Sequence, residues 1–449
     1  MSRVAKKLAV LLFSVFASLA SAHELAPSTA IVGPATTVNL VIKDSATGAV
    51  KTYANRVAAP KLKTTALATA VAPVTISGTL IIVHFDNFVK DEAQDYLAVI
   101  ENNNASAIPT RLEISTFPDM LAPGQQVIVS GTSPTMMTAS KGPTQKVLLP
   151  SSITIMRSMK VSGPLALGAP VTKKLLVVPV KPASVVAEPW TKAFDDAIFV
   201  QVAAWFNQVS YGQLSFTVTV APWQNTTLLT TDTSCNTFTV QQDAEAGAKA
   251  AGYDPATYDN VLFHQSNIGG CGWLGLAYVG WGRAWINGGQ TFGGGAFTHE
   301  LGHNIGLLHA GSLTCAAANV NWDFTQCPAA EYGDFWSNMG NHGTWNYNSA
   351  QKLIISFIDP TSVQTHAAAD PAKTYSISSL SLPLPTGGTY AVKVLTPLAK
   401  RVYWLEYRTP NGVDAGNPAG LAKPAQIRVG TPLEVTSGSD DTQTVARPG

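Results

Sequence analysis

The chain has few charged residues and almost no net charge. Only 13% of its 449 residues are Asp, Glu, Lys or Arg, and 29 basic residues nearly cancel 28 acidic ones. No global field therefore attracts nucleic acid or an anionic membrane, so recognition must come from a local site. Heptads, long charge runs, low-complexity tracts and internal repeats are also missing. The length is that of a globular protein of two or three domains.

Long hydrophobic runs are missing as well, apart from Leu8 to Leu19 near the start of the chain. This run is shorter than the roughly 20 residues that span a bilayer. Basic residues precede it, and Ala20-Ser21-Ala22 follows as a small-x-small cleavage pattern, so we predict a signal peptide over residues 1–22. The alternative is an uncleaved membrane anchor. We expect a secreted protein, extracellular or periplasmic, with no membrane span once the signal is removed.

Cysteine is scarce, and no cysteine precedes Cys235. In an exported protein, four cysteines predict two disulfides. Four cysteines can form two disulfides in three different ways, and the simplest of these closes two local loops of the chain. A cysteine zinc site is the alternative, but the close C-x-x-C spacing typical of such sites is missing. The simplest pairing joins Cys235 to Cys271 and Cys315 to Cys327.

Three regions follow the signal. Residues 23–170 are rich in Val, Thr, Ile, Pro and Gly, which predicts an N-terminal β domain. This domain is a possible prodomain. We interpret His84 within it as an ordinary strand residue. Residues 171–360 alternate strand and helix patterns, which predicts a sheet with helices packed on it. Residues 361–449 return to β patterning and predict a C-terminal β-sandwich-like domain. The clearest elements of the middle region are strands at Leu175–Val178, Leu214–Val220 and Asn260–Phe263 and helices at Thr191–Asn207 and Val240–Ala251.

The chemistry concentrates in one motif, HELGHNIGLLH, which runs from His299 to His309 and fits HExxHxxGxxH at every specified position. On a helix, His299 and His303 lie on one face about 6 Å apart along the axis, close enough to share one ion. Glu300 points in a neighbouring direction and is predicted to act as the general base on a metal-bound water.

A helix that simply continued would carry His309 roughly 9 Å further along the axis and about 120° away from His303. Gly306 can take the left-handed conformation that ends a helix and turns the chain. We therefore predict that His309 returns to the ion as its third ligand. Three histidines plus one open water position are typical of catalytic Zn²⁺, because a structural site would fill the fourth position with protein.

Two residues downstream bear on the subclass. Met339 stands where metzincin peptidases carry a Met-turn beneath the zinc site, although a lone Met is usually core filler. Glu331 is an alternative third ligand, as in peptidases with a His-His-Glu site. Gly306 and His309 favour the three-histidine site, because the other class does not require them.

Together these residues resemble the gametolysin family of metzincin zinc peptidases. The resemblance rests on the motif, on EYGD at Glu331–Asp334, on Met339-Gly340 and on WFNQVSYGQLSF at Trp205–Phe216. It covers about 175–357 and, more weakly, YWLEYR at Tyr403–Arg408. The resemblance implies an α+β fold, with a metzincin-like catalytic domain (a twisted mixed sheet with an active-site helix) flanked by all-β domains. It also implies an endopeptidase that acts on extracellular-matrix or cell-wall proteins.

The chain departs from other metzincins in two ways. The Tyr that some of them place two residues after the Met is Asn341 here, and Tyr332, Tyr347 and His342 are possible replacements that read as structural or surface residues. A latency cysteine cannot lie upstream of Cys235, so an inhibitory N-terminal domain would act without a thiolate.

We therefore expect a Zn²⁺ endopeptidase with protein or peptide substrates, no nucleic-acid partner and an oligomeric state that the sequence does not specify. The extended stretch Leu276–Ile286 is a possible edge strand that pairs with the backbone of a substrate. Its Trp281 and Trp285 either contact the substrate or are core or rim residues. A zinc-bearing adhesin with a vestigial site and a cell-wall amidase are the competing hypotheses. Intact Glu300 argues against the first, and cleavage products separate peptidase from amidase.

Overall fold

The protein is described by a computed structural model. It describes residues 16–17, 35–58, 73–87, 92–102, 104, 107–115, 117–118, 120–132, 136–137, 145–157, 170–232, 235–268, 271–313, 329–340, 343–367, 369–395, 402–416 and 425–430. The predicted signal peptide, except Phe16–Ala17, lies outside these ranges, as do Cys315, Cys327, Asn341 and His342.

The N-terminal part of the described chain is built from strands, as its β-branched composition predicts. The strands are β1 (Phe16–Ala17), β2 (Ala35–Asp44), β3 (Val50–Ala58), β4 (Pro73–Asn87), β5 (Glu92–Glu101), β6 (Thr110–Leu112), β7 (Gln126–Thr132), β8 (Met136–Met137) and β9 (Gln145–Arg157). Alternate residues are buried in some of them, such as β2 and β7, whereas β4 and β5 are buried on both faces at residues 78–84 and 95–100.

The middle of the chain alternates strands with helices. The predicted strand at Leu214–Val220 has those bounds in the structure, and the two predicted helices are shifted by one to three residues. The elements are β10 (Val171–Pro182), α1 (Lys192–Val209), β11 (Leu214–Val220), β12 (Gln224–Thr226), α2 (Thr237–Ala250), β13 (Asn260–Gln265), β14 (Gly275–Val279), β15 (Arg283–Asn287) and α3 (Ala296–Asn304).

The remaining elements are short and end in a small sheet. Within the described residues this sheet has the order β1-β21-β20-β19-β18. Its strands β19 to β21 pair antiparallel. The elements are β16 (Ser312–Leu313), β17 (Ala329–Ala330), α4 (Ser349–Ile354), β18 (Val363–His366), β19 (Ala391–Leu395), β20 (Val402–Tyr407) and β21 (Ala425–Gly430).

Strand β10 lies inside the main sheet and serves two hydrophobic cores. It pairs in parallel with β11 on one side and β13 on the other. Because successive side chains point to opposite faces, Leu175 and Val177 pack with α1 and α3, whereas Leu176 and Val178 pack with α2. The predicted sheet with helices packed on it is confirmed in this coarse sense: the described chain is a mixed, sheet-rich fold with few helices.

The N-terminal strands continue the same sheet. β13 pairs with β15, β15 with β14, and β14 then pairs antiparallel with β4. Ile81 and Val83 of β4 share a core with Leu276 and Trp285. The two regions are therefore joined both by backbone hydrogen bonds and by buried apolar contacts.

This pairing changes the interpretation of the stretch Leu276–Ile286. It is a hairpin of β14 and β15, and β14 is paired on both sides, so the expectation of a free edge strand is wrong for this chain. Trp285 is fully buried, and Trp281 packs against the same core. Both tryptophans are therefore core residues.

A disulfide joins Cys235 to Cys271, which confirms that half of the predicted pairing. The other predicted pair lies outside the described residues. In the part of the chain that the structure describes, no helix combines the length and the apolar character needed to cross a membrane.

Candidate metal centre

Helix α3 carries the first half of the motif and is fixed against the β14–β15 hairpin. The side-chain amide of Asn304 donates to the carbonyl oxygens of Tyr278 (3.1 Å) and Arg283 (2.8 Å). The Gly280 amide, in the hairpin turn, donates to the His303 carbonyl oxygen at 2.8 Å. The helix therefore lies across the hairpin with every one of its residues buried.

Gly306 ends the helix in the way the sequence predicts. Its φ of 105° is one that side chains rarely adopt. The Gly306 amide donates to the His303 carbonyl oxygen (2.8 Å), and the Leu307 amide donates to that of Gly302 (3.1 Å). These two bonds form a Schellman motif, which reverses the chain and returns His309 to the helix.

The three imidazoles converge. Their ring centroids lie 4.9 Å apart for His299 and His303 and 5.1 Å apart for the two pairs that include His309. The Nε2 atoms of His299 and His309 are 3.2 Å apart. Each Nδ1 is held by another group, since His299 contacts the Asn338 carbonyl oxygen (2.7 Å), His303 that of Leu307 (2.8 Å) and His309 the Glu331 carboxylate (2.8 Å).

These contacts fit a metal ion. An acceptor at each Nδ1 fixes the tautomer that leaves Nε2 as a ligand, as metal-binding histidines require. Nε2 of His303 is buried without a hydrogen-bond partner among the described residues. Burial lowers the pKa of His299 well below its usual range and that of His303 to about 4, which favours the neutral rings that bind metals. Glu331, the alternative ligand, lies against the far nitrogen of His309.

Glu300 is fully buried beside His299 and Asp86. Neither of its carboxylate oxygens has a hydrogen-bond partner among the described residues. Burial, and then the negative charge of Asp86, raise the pKa of Glu300 well above its usual range. The side chain packs against Gly275 of β14, where a Cβ atom would lie 1.8 Å from Glu300 Oε1.

Met339 lies beneath the helix. It is fully buried, and its sulfur lies so close to Gly302 that a Cβ atom there would be 2.6 Å away. Its carbonyl oxygen accepts from the Ala310 amide at 3.0 Å. The loop containing Met339 therefore supports both the helix and the segment that follows His309.

Of the three residues considered as replacements for Asn341, Tyr332 is the one placed at the imidazoles among the described residues. Its ring centroid lies 4.3 Å from that of His309. Tyr347 instead donates to the Thr298 carbonyl oxygen at 3.0 Å and has a structural role. Neither Asn341 nor His342 belongs to the described ranges.

Two N-terminal residues enter the site, and the sequence analysis missed both. His84 and Asp86 of β4 lie with His303 and His309 in one buried cluster whose donor atoms are within 4.8 Å of one another. Asp86 also groups with His299 and Glu300. The sequence did indicate that His84 and Asp86 lie together, since His-x-Asp in a strand places both side chains on one face. Nothing in the sequence indicated that this face meets the motif.

These features define a buried three-histidine centre with an adjacent carboxylate, the arrangement of HExxH-type metallopeptidases. The model of the Gametolysin peptidase M11 family matches residues 190–414, half of the chain. The protein belongs to this family, as the resemblance in the sequence predicted, and the family makes it a metallopeptidase. A comparison with curated proteins gave no match.

Glycine at position 275 leads to a prediction. Gly275→Ala should push Glu300 out of place while the three histidines keep their metal, because the new Cβ would collide with the carboxylate. A displacement of about 1 Å costs on the order of 100-fold in rate. We expect hydrolysis to fall by that factor with an unchanged metal content, measured on casein after limited trypsin digestion and by atomic absorption.

The matched control is Gly272→Ala, because a Cβ atom at that position meets nothing within 4 Å. It should hydrolyse casein at the parent rate. Equal rates for the two variants would show that Gly275 does not position Glu300.

Proposed function

We propose that the protein is a secreted Zn²⁺ endopeptidase of the metzincin type. His299, His303 and His309 bind the ion, Glu300 is the general base, and Met339 forms the Met-turn. The observation that carries this proposal is the convergence of three Nε2 atoms whose rings are each held through Nδ1. The ring separations of 4.9 and 5.1 Å favour a single ion shared by the three histidines.

When bound, the ion lowers the pKa of a water molecule and polarises the scissile carbonyl. Glu300 accepts the proton of the attacking water and passes it to the leaving amine. We assign the role of hydrogen-bond donor to the oxygen that becomes negative to Tyr332, because its ring centroid lies 4.3 Å from that of His309; its hydroxyl, which donates to Asp86 here, would have to turn to that oxygen.

The substrate is an extended peptide or protein, and family resemblance favours extracellular-matrix or cell-wall proteins. β14 lies next to the active-site helix, and its side that pairs with β4 is a backbone ladder that could bind a peptide by strand addition only after β4 has left. Export of the chain, with a predicted signal peptide over residues 1–22, accords with the Cys235–Cys271 disulfide.

Metal removal tests the proposal. We expect about one zinc per chain by atomic absorption, and casein hydrolysis, assayed before and after limited trypsin digestion, that 1,10-phenanthroline abolishes and added zinc restores. Trypsin is inactivated before each assay, so the remaining hydrolysis belongs to this chain. Hydrolysis that resists the chelator would contradict the zinc mechanism. Release of cell-wall peptides without cleavage of any protein would identify an amidase instead.

A further inference from the structure

Strand β4 brings an N-terminal carboxylate into the proposed metal site. Asp86 is fully buried. Its Oδ1 lies 2.6 Å from the Tyr332 hydroxyl, 2.7 Å from His309 Nε2 and 2.9 Å from His84 Nε2. Its Oδ2 lies 3.4 Å from His303 Nε2 and 3.8 Å from His299 Nε2. The carboxylate therefore faces the same nitrogen of all three motif histidines.

The second oxygen of this carboxylate has no hydrogen-bond partner among the described residues. A buried carboxylate oxygen without a partner is costly, whereas one that coordinates a cation is compensated. A metal ion held by the three Nε2 atoms would supply that compensation. Carboxylate oxygen is also an ordinary ligand of zinc.

Strand pairing holds the backbone around Asp86 in place. β4 pairs antiparallel with β14, with Asp86 opposite Gly275 and Ile82 opposite Val279, and the Leu274 amide donates to the Asp86 carbonyl oxygen at 3.1 Å. β4 therefore occupies the ladder of β14 that an extended substrate would need.

A hydrogen-bonded chain from the next strand orients the carboxylate. His84 and Asp86 lie on one face of β4 because they are two residues apart. His84 Nδ1 contacts the Asp95 carboxylate of β5, and its Nε2 contacts Asp86. His84 Nε2 also lies 2.9 Å from His309 Nε2, so His84 contacts both the carboxylate and one motif histidine.

We propose that Asp86 is the fourth ligand of the metal and that, with β4 on the substrate ladder of β14, it makes the N-terminal segment a built-in inhibitor. This rests on the proposed function, because it takes the ion to be bound by His299, His303 and His309. The carboxylate takes the position that the attacking water needs, and the strand takes the position of the substrate. Activation requires that β4 leave β14, and no thiolate takes part, since the first cysteine is Cys235.

The ligand is tested on the full chain loaded with Co²⁺, whose visible spectrum reports its coordination. Wild type is compared with Asp86→Ala, with Asp86→Asn, which keeps the side-chain volume, and with Asp44→Asn. Asp44 is a buried carboxylate of the same N-terminal strands that accepts from the Ala46 amide at 2.8 Å within its own turn. Circular dichroism confirms that each variant is folded.

We expect both Asp86 variants to keep one cobalt but to change its spectrum, and Asp44→Asn to match wild type. Acetohydroxamate, a small metal ligand, should bind Asp86→Ala at least about tenfold more tightly than wild type, because the competing ligand is gone. Identical spectra and affinities in wild type and both Asp86 variants would overturn the proposal. Failure of all four proteins to bind cobalt would instead overturn the metal site.

Hydrogen exchange of the same full-length proteins tests the strand. Amides of residues 275–279 should exchange slowly in wild type and also in Asp86→Ala, because the ladder does not depend on the carboxylate. Fast exchange in wild type would show that β4 does not cover β14 and would refute the inhibitory pairing, whatever the cobalt spectra report.

Discussion

Replacing Glu300 by glutamine should leave the metal in place and lower the rate of peptide hydrolysis by about 10²–10⁴-fold. Glutamine keeps the size of the side chain but cannot accept the proton of the attacking water. In the proposed site the three histidines hold the ion without help from Glu300, so its stoichiometry should not change. The measurements are casein hydrolysis after release of the N-terminal segment and zinc content by atomic absorption.

Glu331→Gln is the matched control, because this carboxylate also belongs to the site but contacts Nδ1 of His309 at 2.8 Å. A change at such an outer partner typically costs about 10–100-fold in metal affinity or activity. Excess zinc should therefore rescue Glu331→Gln but not Glu300→Gln. Full hydrolysis by Glu300→Gln would remove Glu300 from the mechanism.

Replacing Arg408 by methionine should lower the free energy of unfolding by about 3–5 kcal/mol. This is the cost of removing one partner of a buried ion pair while the other stays buried. Arg408 is almost fully buried. Its guanidinium donates to Glu406 Oε1 at 3.1 Å, to the Tyr347 carbonyl oxygen at 3.1 Å and to the Trp336 carbonyl oxygen. Methionine leaves these acceptors buried and without their donor.

Urea denaturation measures this loss, and Lys192→Met is its control. Lys192 pairs with Asp196 at 2.7 Å on the exposed side of α1, and exposed pairs contribute about 0–1 kcal/mol. Because Trp336 lies in the loop that leads to Met339, Arg408→Met should also weaken zinc binding. A loss no larger than that of Lys192→Met would show that Arg408 does not stabilise this loop.

The local parts of the site could be predicted from the sequence because the motif determines its own geometry. Helical spacing relates His299 to His303, and Gly306 supplies the positive φ that returns His309. One turn of helix and one Schellman motif are enough to bring the three histidines together. The central strands and the two long helices were also predictable, since their apolar residues recur with the period of each element.

The contribution of the N-terminal region could not be predicted, because it depends on pairing between distant strands. His84 reads as an ordinary strand residue until β4 is placed beside β14. A strand pattern gives the period of a strand but not its neighbour, and register depends on which face is buried. The same reasoning left Leu276–Val279 as an apparent edge.

The pairing of β4 with β14 also has a consequence for how the chain folds. His84 meets His309 across 225 residues of sequence, so the centre can be completed only after more than two thirds of the polypeptide has been synthesised. Contacts between such distant segments are slow to form, because the entropy of closing the loop must be lost before they stabilise anything. Until then the edge of β4 that pairs with β14, residues 82–86, lacks that partner even though β5 and β7 can already pair with β4, and a chain truncated before residue 275 would leave this edge open to aggregation.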